Sequence, residues 1–313
     1  MNPDSITSVG IVGTGMIGCS LATLYLFHSC PVTLIGRREQ ALADARTEII
    51  RNFEDLADHG VMTPADSDRC LELLTLSMDY ADLKDTRFIT EAVTEDVNVK
   101  ASVYAQVEAH CPEDAILSSA TSAISADILA DHVSRKDRFL VAHPWNPPHL
   151  VPLVEVVMSR FTSDETAETT KAFLDSMGRR AVILRKNIPG FIGNRLQHAM
   201  LREALYLIEQ GIATPEQIDE VVLYGFGPRY SSIGPMEHYD CAGLPLQKQV
   251  QSGLFPELCN ATKPPQILFD LLDEGHLGMK SGRGMLDWSK IDPDDFRNRQ
   301  RAPYYHFLKE DPK

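Results

Sequence analysis

At 313 residues, with 43% hydrophobic and 24% charged side chains, the chain is too long for one average domain of roughly 100–200 residues and suits a globular protein of two. Its 44 acidic against 30 basic residues give a formal charge of −14, which leaves no basic excess to bind nucleic acid or an anionic membrane. No apolar run reaches the roughly 18 residues of a membrane span, and the opening MNPDSITSVG lacks the basic-then-apolar pattern of a secretory leader, so a cytoplasmic protein is expected.

Residues 9–12 form a short apolar run that ends in GTGMIG, and the Ala/Leu-rich stretch 19–28 behind it has helical character. Pro31 then opens a β-branched run at 32–35, completing one βαβ unit. The polar stretch 38–60 predicts one long helix, ended at Gly60 by a left-handed cap. Further strands are predicted at 73–76, 88–92, 115–118, 139–142, 153–157 and 181–184, and helices at 95–110 and 163–177. This alternation predicts the α/β class, with a doubly wound parallel Rossmann sheet. After Asn187-Ile188-Pro189-Gly190 the texture changes. Apolar residues fall at helical spacing over 191–210, and Thr214-Pro215-Glu216-Gln217 has the form of an N-cap followed by Pro at the first helical position. The expected division is therefore a sheet domain at 1–187 and an all-α domain at 188–313. Six scattered cysteines without CxxC or zinc-like spacing read as reduced thiols, with no metal site.

In GTGMIG, Gly13, Gly15 and Gly18 match G-x-G-x-x-G, with Met16 and Ile17 at the helix start between them. The first glycine permits a tight turn, the second lets the backbone approach a pyrophosphate, and the third lets helix pack on strand. Unpaired N–H groups at the helix N-terminus then face the phosphates, which predicts a dinucleotide cofactor. At the tip of the second strand, where an Asp or Glu accepts the ribose hydroxyls of NAD, the chain reads Leu34-Ile35-Gly36-Arg37-Arg38. Gly36 removes a carboxylate that would repel a 2′-phosphate, and Arg37 and Arg38 supply guanidiniums to grip it, so NADP(H) is expected. The alternative is NAD, with both arginines solvated at a helix start.

His143 stands at the C-terminal end of the strand Phe139-Leu140-Val141-Ala142, ahead of the rigid turn Pro144-Trp145-Asn146-Pro147-Pro148. Ligands of open α/β sheets bind beyond such strand ends. Glu155 lies inside the apolar strand Leu153-Val154-Glu155-Val156-Val157, where a carboxylate needs a partner, and His143 is the candidate. A His–carboxylate pair suits proton transfer to and from an alcohol.

Taken together these residues resemble the 3-hydroxyacyl-CoA dehydrogenase superfamily. The matching pieces are GTGMIG, Glu91-Ala92-Val93-Thr94-Glu95-Asp96 with Lys100, Ser118-Ser119-Ala120-Thr121-Ser122, and His143-Pro144 with Asn146-Pro147. Leu153-Val154-Glu155, Pro189-Gly190-Phe191-Ile192-Gly193-Asn194-Arg195 and Gly278-Met279-Lys280-Ser281-Gly282-Arg283-Gly284 follow in family order. Within it, HPWNPPHLVPLVEVV at 143–157 and GFGPRYSSIGPME at 225–237 are similar to the λ-crystallin/L-gulonate 3-dehydrogenase branch, and L-carnitine dehydrogenases share some of this texture. The resemblance implies that His143 is the general acid/base, Glu155 its orienting carboxylate, and Ser122 and Asn194 the groups that hydrogen-bond the reacting oxygen or position the nicotinamide. It implies cofactor contacts from Glu95, Lys100 and, more distantly, Lys280, and a homodimer paired through the helices after 188.

Two departures from the family pattern shape the expected substrate. The acidic residue after the second strand is Gly36, and the segment NFEDLADHGVMTPADSDRC, which in acyl-CoA enzymes tends to carry lysines facing CoA phosphates, is acidic. Arg229 beside Tyr230 matches an Arg of the gulonate and carnitine enzymes and is expected to pair with a free substrate carboxylate. The expected activity is hydride transfer between NADP(H) and C3 of a small 3-hydroxy or 3-oxo acid. A 3-hydroxyacyl-CoA dehydrogenase and a non-catalytic crystallin-like protein are the alternatives.

Overall fold

In the computed structural model, which describes residues 2–310, eight strands form one sheet. They are β1 Val9–Val12, β2 Val32–Ile35, β3 Leu74–Ser77, β4 Phe88–Glu91, β5 Ile116–Ser119, β6 Phe139–Pro144, β7 Leu153–Met158 and β8 Arg180–Leu184. The order across the sheet is β3-β2-β1-β4-β5-β6-β7-β8, and every neighbouring pair is parallel except β6 and β7. Only residues 145–152 separate those two strands, too few for the crossover that a parallel pair needs, so the chain turns back on itself. The parallel strands carry apolar residues at successive positions because helices cover both faces. All four residues of β1, for example, are buried.

On one face lie α1 Met16–Phe27, α2 Glu39–Asp58, α3 Pro64–Leu71 and α6 Asp164–Ser176, and on the other α4 Val97–His110 and α5 Ala126–Ala130. Helix α2 shows why its sequence forms an amphipathic helix. Leu42, Ala45, Ile49, Phe53 and Leu56 recur every three or four residues and are its buried set. Gly60 ends it with φ +67°, and its N–H reaches the Ala57 carbonyl at 2.9 Å, the left-handed cap expected there. Arg179 is buried behind β8 and donates from Nη1 to the Pro148 carbonyl at 3.1 Å, tying the β6–β7 turn to the core.

The chain divides into two compact units, one of residues up to Ile192 together with those from Arg299 onward, the other Gly193–Asn298. The second is helical: α7 Gly193–Glu209, α8 Pro215–Val221, α9 Pro235–Ala242, α10 Leu244–Leu254 and α11 Gln266–Asp273. Thr214 caps α8 with Gln217 reaching back, a reciprocal capping box. No described residue from 193 to 298 is buried.

A single helical block at 188–313 is not the division found at the C-terminal end. Helix α12, Pro293–Glu310, contributes from Arg299 on to the first unit, where Tyr305 and Leu308 enter the core beside α1 and α2. Tyr305 stacks on His59 with ring centroids 3.9 Å apart, its hydroxyl donates to Asp55, and Arg301 Nη1 meets the same carboxylate at 3.3 Å. No described helix is long and apolar enough to cross a membrane.

Two imidazoles in the first unit are held neutral by burial. His28 and His149 are each lowered from 6.5 to about 4, chiefly because the protonated ring loses its hydration. Between those values the unfolded chain binds protons that the folded chain does not, so stability is full above about 6.5 and falls as pH drops toward about 4. The urea midpoint is expected to decline steadily across that window, and His28→Phe to flatten the slope. A midpoint that stays level for the unmodified chain would contradict the assignment.

Candidate active site

The sheet order reverses between β1 and β4, which opens a crevice at the strand ends. Gly13 leaves β1 at φ +125°, and a Cβ there would lie 2.4 Å from the Ala92 carbonyl oxygen. A Cβ on Gly18 would lie 2.0 Å from the Gly13 carbonyl oxygen, so α1 can approach β1 this closely only with glycine. Above Gly15 there is open space, and this residue caps α1 without any side-chain hydrogen bond, leaving the first-turn N–H groups of the helix available to an anion. Met16 is exposed at that helix start, while Ile17 packs against the core.

A cavity of about 380 Å³ continues from this loop, lined by Thr14, Gly36, Arg37, Tyr80 and Val93. It suits the adenosine half of a dinucleotide. Arg37 and Tyr80 both line it, and burial pushes the Tyr80 phenol up while the Arg37 guanidinium opposes that shift. Arg38 is exposed at the N-cap of α2 and does not line the cavity. A Cβ on Gly36 would meet Leu42 Cδ2 at 2.7 Å and Thr14 Cγ2 at 2.9 Å, so a larger residue there needs both side chains to give way.

Beneath the crevice Glu91, at the end of β4, is fully buried. Its Oε1 accepts from Lys100 Nζ and from the Val93 N–H, both at 2.7 Å. Its Oε2 accepts from Ser119 Oγ at 2.7 Å and from the Tyr104 hydroxyl at 3.0 Å. Lys100, expected at the cofactor, is 1% exposed and serves as the counter-ion of Glu91, with Glu95 Oε2 3.4 Å away. Glu95 in turn accepts from Thr121 Oγ1 at 2.9 Å and from the Ser122 N–H at 3.2 Å, which orients the loop carrying the exposed Ser122. Reasoning from sequence left Glu91 without a role. The signal was there in an acid closing the buried strand Phe88-Ile89-Thr90.

The antiparallel register sets His143 opposite Glu155, so both side chains leave the sheet on one face. His143 Nδ1 lies 3.0 Å from Glu155 Oε2, and both residues are buried. The same oxygen accepts from Trp145 Nε1 at 3.3 Å, and Oε1 accepts from the Ile192 N–H at 2.8 Å. Trp145 therefore has a polar task that sequence reading did not assign. Phe191, at φ +48°, packs its ring 5.2 Å from that of His143, a backbone conformation that costs a bulky residue about 1–3 kcal/mol and is held here by the turn. With Nδ1–H donated to Glu155, the imidazole keeps Nε2 for a reacting oxygen.

The remaining expected residues lie in the second unit. Asn194 is the second residue of α7, Arg229 donates from Nη1 to His238 Nε2 at 2.9 Å, and Lys280 sits in the turn Met279–Ser281. Among the described residues no group of three or more His, Cys, Asp or Glu is arranged to hold a metal.

The family model for the 3-hydroxyacyl-CoA dehydrogenase NAD-binding domain matches residues 8–188, and that for the C-terminal domain matches 190–288. The chain is 31% identical to 5-formyl-3-hydroxy-2-methylpyridine 4-carboxylate 5-dehydrogenase of Mesorhizobium japonicum, over 90% of each chain. A crystal structure of an enzyme of that name, described as an NAD+ dependent dismutase, superposes with a TM-score of 0.85 at 28% identity, over 96% of this chain and 97% of the other. Identity to 3-hydroxybutyryl-CoA dehydrogenase of Mycobacterium tuberculosis is 32%, over 91% of this chain and 99% of that one. Identity to L-carnitine dehydrogenase of Bacillus cereus is 34%, over 78% and 74% respectively.

Removing the charge of Glu91 leaves the buried Lys100 ammonium only the more distant, part-exposed Glu95 carboxylate as counter-ion. Glu91→Gln is expected to cost about 3–5 kcal/mol in chemical denaturation, and Glu91→Gln with Lys100→Met to recover most of it. A loss below about 1 kcal/mol for the single variant, as for an exposed pair, would contradict this account.

Proposed function

The chain belongs to the 3-hydroxyacyl-CoA dehydrogenase family, and from that premise we propose that it transfers a hydride between NADP(H) and C3 of a small 3-hydroxy or 3-oxo acid. The observation that carries this is the buried His143–Glu155 pair, with Nε2 of the imidazole left for substrate. The bound nicotinamide supplies or accepts the hydride. In the oxidative direction His143 Nε2 takes the proton of the C3 hydroxyl, and Glu155 stabilises the imidazolium that results; in reduction His143 returns that proton to the developing alkoxide. Ser122 and Asn194 are assigned to hydrogen-bond the reacting oxygen, and Gly13, Gly15 and Gly18 with the α1 N-terminus to hold the pyrophosphate.

Arg37 on the adenosine-side wall supports NADP(H), as does the absence of an acid at Gly36, whereas the relative described as NAD+ dependent supports NAD. Similarity to L-carnitine dehydrogenase supports a free acid as substrate. The acids Glu54 and Asp58 at the end of α2 also disfavour a polyanionic CoA nucleotide. The second reading is a CoA thioester, favoured by the match to nearly all of the 3-hydroxybutyryl-CoA enzyme. Six free cysteines suit a reducing compartment, and we place the protein in the cytoplasm.

A homodimer through the helical unit is part of this proposal. Residues 193–298 present Leu196, Met200, Leu223 and Tyr224 to solvent, and Met200, Leu207, Val221 and Tyr224 line an apolar groove of about 1050 Å³. An apolar surface of this extent needs a partner, and a second copy is one always present.

Acetoacetate and related 3-oxo acids are expected to be reduced faster with NADPH than with NADH, and acetoacetyl-CoA poorly. His143→Ala is expected to lower kcat by roughly 10²–10⁴ while cofactor affinity holds. Turnover of the thioester with no turnover of free acids would reverse the substrate assignment, and a preference for NADH the cofactor assignment. Light scattering should give twice the 34.8 kDa chain mass, and a monomer at micromolar concentration would remove the dimer.

A further inference from the structure

The candidate site holds one polar contact that the reaction scheme leaves unused, the indole of Trp145 on the Glu155 carboxylate. It follows from the pleat of the sheet. Successive side chains leave a strand on opposite faces, so residues 143 and 145 share one face. The ladder continues one step past β6, because the Trp145 N–H donates to the Leu153 carbonyl at 3.2 Å. That pairing keeps both positions in register with β7. His143 stands opposite Glu155, and Trp145 is the diagonal neighbour of the same acid, within reach of a large aromatic side chain.

Glu155 Oε2 therefore meets two donors, His143 Nδ1 at 3.0 Å and Trp145 Nε1 at 3.3 Å, and Oε1 accepts from the Ile192 N–H at 2.8 Å. These donors differ in what they can do. An indole N–H and a backbone amide only donate, whereas imidazole also takes and releases a proton. His143 is thus the group to be aimed, and a hydrogen bond from the aimed ring cannot by itself fix the oxygen that aims it. Contacts at Oε1 leave Oε2 able to swing about them. The indole gives Oε2 a fixed point of its own, set by the strand pair and not by the imidazole.

The same contact acts on charge. A donor that cannot take up a proton stabilises a carboxylate more than the neutral acid. A proton that His143 draws from a hydroxyl then stays on the imidazole instead of crossing to Glu155. Both effects need the N–H of the indole, and a ring without one supplies neither.

We propose that Trp145 is a positioning residue for the proton transfer, its indole N–H holding Glu155 Oε2 on His143 Nδ1 so that Nε2 meets the reacting oxygen. The proposal rests on the hydride-transfer reading. Trp145 acts on the reacting atoms through Glu155, as a third side chain beside the His143–Glu155 pair.

Two variants separate the donor from the ring. Trp145→Phe keeps an aromatic ring and loses the N–H, while Trp145→Gln loses the ring and carries an amide N–H the same number of bonds from Cβ. In oxidation of 3-hydroxy acids Trp145→Phe is expected to lower kcat roughly tenfold, the weight of one hydrogen bond to a charged group. KM for substrate and cofactor should hold, and the solvent deuterium isotope effect on kcat should rise as proton transfer slows. Trp145→Gln should recover most of both. Unchanged kcat and isotope effect in Trp145→Phe, a loss carried by KM, or a Gln variant no better than Phe at an equal urea midpoint would overturn the proposal. The unmodified chain gives a reading that does not depend on how either variant folds. It has two tryptophans, Trp145 and Trp288, and the Trp145 indole N–H is expected to exchange slowly with deuterium and to move upfield in proton NMR of Glu155→Gln. Exchange as fast as in free indole would remove the contact and the proposal with it. A protected indole N–H in a chain that turns over neither 3-hydroxy acids nor their thioesters would instead overturn the reaction and leave the contact standing.

Discussion

Two carboxylates stand in the interior of the sheet, Glu91 at the end of β4 and Glu155 in β7, and a buried carboxylate is tolerated only when donors surround it. Meeting that requirement organises the candidate site. Around Glu91 the donors come from β5, α4 and the loop that follows β4, so one ion locks the crevice floor. For Glu155 they come from His143, Trp145 and the backbone of Ile192, so the same need for partners aims an imidazole and fixes the segment that leads out of the sheet unit. Structure and chemistry share these residues, because an ion that must be satisfied also holds its donors in place.

Much of this was legible in the sequence because it is local. β-branched runs flanked by turns gave the strands, the glycine spacing gave the loop, and the acid inside Leu153-Val154-Val156-Val157 announced a partner that the His143 strand supplied. The contacts that escaped join residues far apart in the chain. Glu91 meets Ser119 across 28 positions and Asp55 meets Tyr305 across 250, and no periodicity encodes either. Lys100 illustrates the difference between motif and geometry. Its place in the motif suggested a cofactor contact, while its burial makes it the counter-ion of an acid below.

The two units face opposite demands. The sheet unit buries both faces of its strands under helices and carries a continuous core on each side. The helical unit, with no described residue buried, has too little interior to satisfy its apolar side chains alone. The Thr214–Gln217 box shows local order at the start of α8 without any buried residue to support it.

The return of α12 to the sheet unit sets a timetable for biosynthesis. Tyr305 seats against α2 and reaches Asp55, yet it is synthesised 250 residues later. At about 5–20 residues per second the ribosome needs roughly 12–50 s to cover that distance. Throughout that interval the nascent sheet unit carries an open apolar seat beside His59, where Tyr305 and Leu308 will lie. The strands of the Rossmann half are all synthesised before residue 185, whereas the seat beside His59 is filled only by residues made about 120 positions after β8.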